Sequence, residues 1–134
     1  MSDNRHLAKR WFEEVWNQRR AETIDEILHA DARGHMEGFE TRGHADFKNV
    51  RAGLLEAFPD FSIVVEDMVA EGNNVVVRWR ARGSHRGEGL GIPASNRTAD
   101  FRGMTWLRFE NGKLVEGWDA WNQGAVLQAL AASA

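Results

Sequence analysis

Residues 61–85 read FSIVVEDMVAEGNNVVVRWRARGSH, and this stretch decides the fold. Apolar and polar side chains alternate in its first part and again in its last part. Residues 71–74, which separate the two parts, include the glycine and asparagines of a tight turn. A repeat of two is typical of strands that have one covered face. The stretch therefore predicts a hairpin of two long strands, residues 61–70 and 75–85.

The same pattern returns further along the chain. Residues 99–109 and 113–122 alternate in the same way around Asn111 and Gly112, which predicts a second hairpin. Between the two hairpins, residues 86–97 contain four glycine or proline residues, so we expect a loop there.

Helical spacing precedes the hairpins. Residues 4–18 place large apolar side chains on one broad face, which predicts an amphipathic helix. Thr23 and Glu26 have the spacing of a capping box, so a short helix is expected to begin at Thr23. A third helix is expected from Gly43 until Pro59, because proline disfavours helical backbone at the residue before it.

Helices followed by a run of hairpins are typical of an α+β fold. An extended segment at residues 33–38 and a short helix at residues 125–130 complete the predicted elements. Four long strands cannot bury both faces by themselves. We therefore expect the N-terminal helices to cover the concave face of a cone-shaped, strongly curved, mostly antiparallel sheet and to leave a pocket there. Residues 1–134 are expected to form a single domain.

Composition excludes several classes of site. The chain of 134 residues has no cysteine, which excludes disulfides, thiolate metal sites, iron–sulfur clusters and thiol nucleophiles. It has no tyrosine, so any mechanism that needs a phenol is excluded. The formal net charge of −3 gives no general attraction to nucleic acid or to acidic membranes.

The sequence carries no signal for a membrane or for export. The longest uncharged stretch, residues 120–134, is too short to span a bilayer. Residues 1–5 lead into the first helical pattern without the apolar core of a signal peptide. We therefore expect a cytoplasmic protein that has neither a nucleic-acid nor a membrane partner.

Asp119 is the strongest candidate for an acid or a base. It lies on the last predicted strand between Trp118 and Trp121, and it shares a face with Trp121. Aspartate is disfavoured in strands, and a carboxylate shielded by indole rings loses hydration, which raises its pKa toward that of a useful proton carrier. The alternative is an exposed aspartate that pairs with Arg102 or Arg108 on the neighbouring strand.

Two histidines are candidates to act beside Asp119. The alternation puts His85 on the covered face, because three arginines occupy the opposite face of its strand. His35, on the short extended segment, is expected at the rim of the pocket. The alternative for His85 is a structural histidine held by backbone groups at a strand end. A metal site made of His35, His85 and a carboxylate lacks the paired spacing of metal ligands, so no metal is predicted.

Aromatic residues are abundant, with six tryptophans and seven phenylalanines. We expect these side chains to form the walls of the pocket, where they would exclude water and strengthen electrostatic interactions. Asn122 is a candidate hydrogen-bond donor. The residues predicted to contact a ligand are Trp11, Trp79, Trp106, Trp121 and Asn122.

Six blocks of the sequence resemble the SnoaL-like polyketide cyclases of the nuclear transport factor 2-like superfamily. They are WFEEVWN (residues 11–17), FPDF (58–61), VEDMVAEGN (65–73), GSHRG (83–87), LGIPA (90–94) and ENGKLVEGWD (110–119). The resemblance covers nearly the whole chain. It is specific for the fold, whereas the fold hosts cyclases, isomerases, hydrolases, dehydratases and plain binding domains.

The resemblance implies a cone-shaped α+β barrel, a homodimer formed through the convex face of the sheet, and an apolar pocket. It also implies ring closure by an intramolecular aldol reaction without a cofactor, with Asp119 at the position of the family's acid/base aspartate. Two positions differ from the family pattern. The family's histidine on the preceding long strand has no counterpart in residues 101–107, and Asn122 stands where related sequences often have a second acid.

Two functional hypotheses follow. The first is a cofactor-independent enzyme, a cyclase or an isomerase of a small apolar carbonyl compound. In it, Asp119 removes a proton beside a carbonyl, and His85 or His35 positions or reprotonates the enolate. The second is a dimeric binding domain for a small apolar ligand, without catalysis. Ketosteroid-isomerase or epoxide-hydrolase chemistry in the same fold is disfavoured, because such sites use a tyrosine hydroxyl.

Overall fold

The structure is a computed structural model that describes residues 4–131. In chain order its elements are α1 (Asn4–Arg10), a π-helical segment (Trp11–Asn17), α2 (Ala21–Ile27), β1 (Leu28–Met36), β2 (Phe39–Arg42), α3 (Gly43–Ala57), β3 (Ser62–Glu71), β4 (Asn74–Ser84), β5 (Thr98–Glu110), β6 (Lys113–Trp121) and α4 (Gln123–Ala131). The predicted α+β class is confirmed. Within the described residues, no helix is both long enough and apolar enough to cross a membrane.

The six strands form one curved sheet in the order β2-β1-β6-β5-β4-β3. Neighbouring strands are antiparallel except β1 and β6, which are parallel. The expectation of a curved, mostly antiparallel sheet beside N-terminal helices is therefore confirmed. The sheet is open, because β2 and β3 lie at opposite edges and do not pair within residues 4–131. The curved sheet is therefore not closed into the barrel that the family resemblance implies.

β1 is longer than the extended segment that the sequence pattern predicts at residues 33–38. It begins at Leu28 and pairs with both β2 and β6. Only Leu28 and Ala32 are buried along it, and an irregularity in the pairing with β6 lies between Leu28 and Arg33. The period of two that reveals a strand is therefore absent from most of β1.

The centre of the sheet shows the predicted alternation. Val75, Val77 and Ala81 of β4 are fully buried, whereas the three arginines between residues 77 and 83 are exposed. A shift of one residue would exchange these two faces, so burial fixes the register of β4 against its neighbours. The buried face is the concave one, which the helices of the N-terminal half cover.

Asn17, at the end of the π-helical segment, joins this helical cover to the sheet. Its Nδ2 donates a hydrogen bond of 2.8 Å to the carbonyl oxygen of Ile63, and the N–H of Ile63 donates one of 2.9 Å to its Oδ1. On the other side of the segment, Nε of Arg51 on α3 donates to the carbonyl oxygen of Val15 at 3.0 Å. These bonds fix the position of the π-helical segment between α3 and β3.

The predicted capping box is wrong. α2 begins at Ala21, and Thr23 is a fully buried residue inside the helix. Its hydroxyl donates to Oε1 of Glu14 at 2.7 Å instead of capping the helix. Hydrogen bonds from Arg10 and then Thr23 lower the pKa of Glu14 to about 2. A contact with the π-helical segment thus replaces the local cap that the spacing to Glu26 indicates.

The loop of residues 85–97 rests directly on α3. A Cβ atom on Gly89 would overlap with the carbonyl oxygen of Gly53, and one on Gly87 would overlap with that of Glu56. Glycine allows the two backbones to come this close because it has no side chain. The contact closes the space between α3 and the sheet at one end.

We predict that Asn17→Ala lowers the free energy of unfolding by about 1–3 kcal/mol, because the N–H of Ile63 loses its acceptor in a partly buried place. Urea unfolding followed by circular dichroism measures this change. Gln18→Ala is the matched control, because Gln18 is the next residue, is exposed, and does not make the two bonds to Ile63 that Asn17 makes. Equal stabilities of the two variants would contradict the role given to Asn17.

Candidate functional site

A cavity of about 360 Å³ lies between the concave face of the sheet and the helices that cover it. This volume is in the range of small-molecule sites in proteins. Most of the wall is apolar. The large apolar side chains in it include Trp11, Phe12 and Trp16 of the π-helical segment, Phe47, Val50 and Leu54 of α3, and Leu28, Trp79, Phe101, Leu107 and Trp121 of the sheet.

Asp119 of β6 lines this cavity. In the sheet register it lies directly opposite Thr105 of β5, so the two side chains share a face. The Thr105 hydroxyl donates a hydrogen bond of 2.6 Å to Oδ1 of Asp119 and accepts one of 2.9 Å from Nε1 of Trp79. The alternative pairing of Asp119 with an arginine is not formed in the described part of the chain, and Arg108 binds Glu116 at 3.1 Å instead.

The surroundings of Asp119 favour its neutral form. Desolvation is the main cause, the negative charge of Glu37 adds to it, and the pKa of Asp119 is raised to about 6 although the Thr105 hydrogen bond acts in the opposite direction. By surface area the residue is only half-buried, because its carboxyl borders the cavity, which water-sized molecules can enter. A carboxyl group with this pKa can take up and release a proton near neutral pH.

Few other polar side chains line the cavity. Of the charged residues at the wall, Glu37 follows β1. Arg33 of β1 and Glu116 of β6 share the register face of His35 and Trp118, so their side chains point away from the cavity. Glu116 is engaged with His35 and Arg108, whereas Arg33 and Glu37 form no ion pair with any residue among 4–131. The uncharged polar side chains in the wall are Thr41, Asn49, Thr105 and Gln123.

Four of the residues singled out from the sequence meet at the cavity. Asp119 lies in the wall together with Trp11, Trp79 and Trp121. The ring of Phe101 stacks on Trp121 at 4.8 Å between centroids, which extends the aromatic wall along the sheet. Whether these tryptophans contact a ligand remains a prediction.

His85 is buried on the covered side of the sheet, but it lies outside the cavity wall. In the sheet, Val77 pairs with Thr105, which in turn pairs with Asp119. His85 follows β4 directly and lies eight residues beyond Val77. At about 3.3 Å per residue this separation is roughly 26 Å along the strand. Its Nδ1 lies 2.9 Å from Oγ of Ser95, and its ring packs on Phe58. The expected contact of His85 with the cavity is therefore not formed.

His35 also lies outside the cavity wall, on the convex face of the sheet. Its Nε2 is 2.7 Å from Oε2 of Glu116, its Nδ1 is 2.8 Å from Oε2 of Glu40, and its ring stacks on Trp118. Hydrogen bonds to Glu116 and then Glu40 raise the pKa of His35 above its usual value. These contacts occupy both ring nitrogens, so His35 is not directed at Asp119.

Trp106 and Asn122 are displaced from their predicted positions as well. Trp106 is 50% exposed on the convex face, and its Nε1 donates to Oδ1 of Asn74 at 2.9 Å. The odd and even residues of β5 face opposite sides, and Trp106 is on the side opposite Thr105. Asn122 is exposed and accepts the N–H of Ala125 at 3.0 Å, which caps the start of α4.

The structure does not assemble the metal site considered above. His35 lies on the convex face and His85 is enclosed beside Ser95, so the two imidazoles cannot bind the same metal ion. Within residues 4–131, no three histidine, aspartate or glutamate side chains are grouped so that they could hold a metal ion.

Sequence patterns missed Thr105 and Glu37. If residues are paired one by one outward from the turn at residues 111–112, Met104 falls opposite Asp119. A bulge in the pairing of β5 with β6, between Arg108 and Phe109, shifts the register by one residue and puts Thr105 there. Glu37 reaches the cavity only because β1 pairs with β6. This parallel pairing joins distant parts of the chain, so no local sequence pattern predicts it.

We predict a pH-dependent stability effect for Asp119→Asn. The pKa of Asp119 is raised in the folded state, so the wild type loses stability as the pH rises from the ordinary pKa of an aspartate to about 6. Between about pH 4.5 and pH 7.5, the variant should gain about 2 kcal/mol relative to the wild type. Urea titrations at these pH values measure the difference. Asp100→Asn is the control, because the pKa of Asp100 is lowered and its effect is confined to lower pH. A difference for Asp119→Asn that stays constant with pH would contradict the burial argument.

Three crystal structures with similar folds place the chain among known proteins. A proposed SnoaL-like polyketide cyclase from Jannaschia sp. CCS1 has a TM-score of 0.91 at 28% identity, over 98% of this chain and 93% of that one. AclR, a proposed hydroxylase from Streptomyces galilaeus, has a TM-score of 0.84 at 28% identity, over 97% and 82%. IdmH, a proposed polyketide cyclase from Streptomyces antibioticus, has 0.83 at 24% identity, over 98% and 100%, and at this identity shows the fold alone.

No curated protein matches the sequence significantly. The sequence model of the SnoaL-like polyketide cyclases, in contrast, matches residues 6–130. This match includes every strand of the sheet, both residues of the Thr105–Asp119 pair and the whole π-helical segment. The chain therefore belongs to the SnoaL-like polyketide cyclase family.

Proposed function

We propose that this protein is a cofactor-independent enzyme that moves a proton on a small apolar carbonyl compound, with Asp119 as the general acid and base. The observation that carries the proposal is a carboxyl group with a pKa raised to about 6 at the wall of an apolar cavity. Its Oδ2 has no hydrogen-bond partner among residues 4–131, so it is available to a substrate.

The proposed reaction begins with the ionised form of Asp119. The carboxylate takes a proton from a carbon next to a carbonyl, the C–H electron pair passes into the enolate, and Asp119 becomes neutral. For ring closure, the enolate carbon attacks a second carbonyl carbon of the same molecule, a C–C bond forms, and the new alkoxide takes the proton back from Asp119. The carboxyl group ends in its starting state, so the cycle consumes no other reactant.

The cavity wall supports a substrate of this class. A carbon between two carbonyls, as in a polyketide-like chain, holds an acidic proton, so one carboxylate suffices. The side chains of Asn49 and Gln123 can donate hydrogen bonds to an enolate oxygen from the wall. The apolar remainder excludes water and strengthens these interactions. We assign no proton transfer to His35 or His85, because neither lines the cavity.

The second candidate is a binding domain for a small apolar ligand, without turnover. The observation that favours it is the small number of groups that could share proton transfer with Asp119. Among residues 4–131, no histidine lines the cavity, and the one hydrogen bond that the carboxyl group of Asp119 accepts comes from Thr105. Both candidates need the same cavity, and they differ in whether Asp119 exchanges a proton with the ligand.

We predict that the wild type accelerates exchange of the central C–H of an aromatic 1,3-diketone with deuterium from the solvent. Asp119→Asn should slow this exchange by about 10²–10⁴-fold, because general acid–base catalysis contributes that much. Proton NMR follows the exchange, and a thermal shift with the same diketone measures binding. Asp100→Asn, on the convex face, is the control. Binding without exchange by the wild type would favour the binding domain.

We also propose that the protein is a homodimer formed through the convex face of the sheet. On this face, four residues on neighbouring strands pair in turn across the sheet: Val76, Trp106, Trp118 and His35. Trp106 is 50% exposed and Met104 is 52% exposed. Large exposed apolar side chains in one patch are typical of an interaction surface. A second copy of the chain fits it, since a symmetric dimer buries the same patch on both subunits.

We predict that Trp106→Glu converts the dimer to a monomer, because the variant buries a charge in the interface. Sedimentation velocity at micromolar concentration gives the oligomeric state, and circular dichroism checks the fold. Ala129→Glu, at an exposed position of α4, is the control and should remain dimeric. A wild-type protein that sediments as a monomer would remove the basis of this proposal.

A further inference from the structure

Three side chains on neighbouring strands form a continuous chain of hydrogen bonds into the cavity wall. Nε1 of Trp79 on β4 donates to Oγ1 of Thr105 on β5 at 2.9 Å, and Oγ1 donates to Oδ1 of Asp119 on β6 at 2.6 Å. Trp79 is 5% exposed and Thr105 is 6% exposed, so bulk water does not compete with either bond. The chain ends at the carboxyl group on which the proposed function depends.

The direction of both bonds is determined by the chemistry of the groups. An indole N–H can only donate, so Oγ1 of Thr105 must accept from Trp79. The hydroxyl has a single proton, and Oδ1 of Asp119 is the one acceptor that residues 4–131 offer it. If Oδ1 itself carried a proton and donated it to Thr105, the hydroxyl proton would be left without an acceptor in a buried place, which costs about 1–3 kcal/mol.

The other carboxyl oxygen of Asp119 is in a different position. Oδ2 has no hydrogen-bond partner among the described residues. It is also not sealed off, because the one fully enclosed side-chain polar atom without a partner in that part of the chain is Nε2 of His85. The two oxygens of Asp119 are therefore not equivalent.

We propose that Trp79 and Thr105 are positioning residues that confine the exchangeable proton of Asp119 to Oδ2, the oxygen open to the cavity. Thr105 acts directly on Oδ1, and Trp79 acts through Thr105 by setting the direction of its hydroxyl. The catalytic consequence rests on the proposed function, whereas the state of the carboxyl group does not. A substrate would then meet the same oxygen both when its proton is removed and when it is returned.

The sheet is built to allow this arrangement. Trp79 pairs with Gly103 rather than with Thr105, so its ring must cross the neighbouring residue to reach the hydroxyl. A Cβ atom on Gly103 would overlap with the indole ring of Trp79. Glycine at position 103 thus leaves the space in which the indole lies. Thr105 is β-branched, which restricts its side chain to few conformations.

Charged groups near Asp119 also affect its pKa, and they must be considered before its titration is interpreted. Glu37, in the turn after β1, raises the pKa of Asp119, and the Thr105 hydrogen bond lowers it. Arg33 of β1 and Glu116 of β6 carry their charges on the opposite face of the sheet, where Glu116 bonds His35. None of these charges is altered by substitutions at Trp79 or Thr105, so a change in the titration of Asp119 would report its hydrogen bonds and its desolvation rather than these charges.

The experiment is an NMR titration of the side-chain carboxyl carbon of Asp119, assigned with Asp119→Asn. Thr105→Val removes the donor to the carboxylate and should raise the pKa by about one unit, because a hydrogen bond to a charged group contributes that much. Thr105→Ser keeps the hydroxyl and should retain the wild-type value. Trp79→Phe keeps a ring but frees the hydroxyl to rotate, so the pKa should rise by less than in Thr105→Val.

Thr41→Val is the matched control. Thr41 is a buried threonine in the same cavity wall, on β2 and without a bond to Asp119, and its substitution should leave the titration unchanged. An unchanged pKa in Thr105→Val, or an equal rise in Thr41→Val and Thr105→Val, would overturn the proposal. So would Thr105→Ser behaving like Thr105→Val.

A second measurement needs no folded variant of Thr105. In the wild type, the indole N–H resonance of Trp79 should shift with the same pKa as the carboxyl carbon of Asp119, since one hydroxyl joins them. An indole resonance that does not titrate would overturn the proposal. Absence of diketone exchange together with the expected titrations would contradict the proposed activity and still support the positioning chain. With exchange, the acidic limb of the pH–rate profile should move by the same shift in Thr105→Val.

Discussion

The structure depends on covering an apolar concave face with helices that do not fill the space beneath them. The alternation along β4 requires that face to leave water, and the π-helical segment, α3 and the loop of residues 85–97 close over it. Large aromatic side chains border the remaining space, a cavity of about 360 Å³. A polar group on that face loses hydration wherever the chain places it. The raised pKa of Asp119 is thus a result of how the sheet is covered.

The two faces of the sheet carry different proposed functions, and the tryptophans are divided between them. Trp118 and Trp121 both flank Asp119 in the sequence, but only Trp121 lines the cavity. Trp118 faces outward, where it stacks on His35. Because neighbours along a strand alternate, one short segment of β6 serves the proposed site of proton transfer and the proposed contact between subunits.

Much of the fold was predictable from the sequence, because each hairpin and α3 carries its own local signals: the alternation in β4, the turn at residues 111–112, and Pro59 after α3. The site was less predictable, because its contacts connect distant parts of the chain. Asp119 was found from its strand and its aromatic neighbours. Thr105 was hidden by a bulge of one residue in the pairing of β5 with β6. His85 was given the correct side of the sheet, but no periodicity reports how far along a strand a cavity extends.

The glycine contacts between α3 and the loop of residues 85–97 limit how this cavity can vary. That wall consists of backbone against backbone at Gly53 and Gly89, so there is no side chain to shorten there, and any added atom would push the two segments apart. Enlarging or reshaping the space for a different molecule must therefore proceed through the aromatic wall of the π-helical segment and the sheet. In directed evolution of ligand scope, we expect tolerated changes to accumulate at positions such as Trp16 and Phe101, while the two glycines stay fixed.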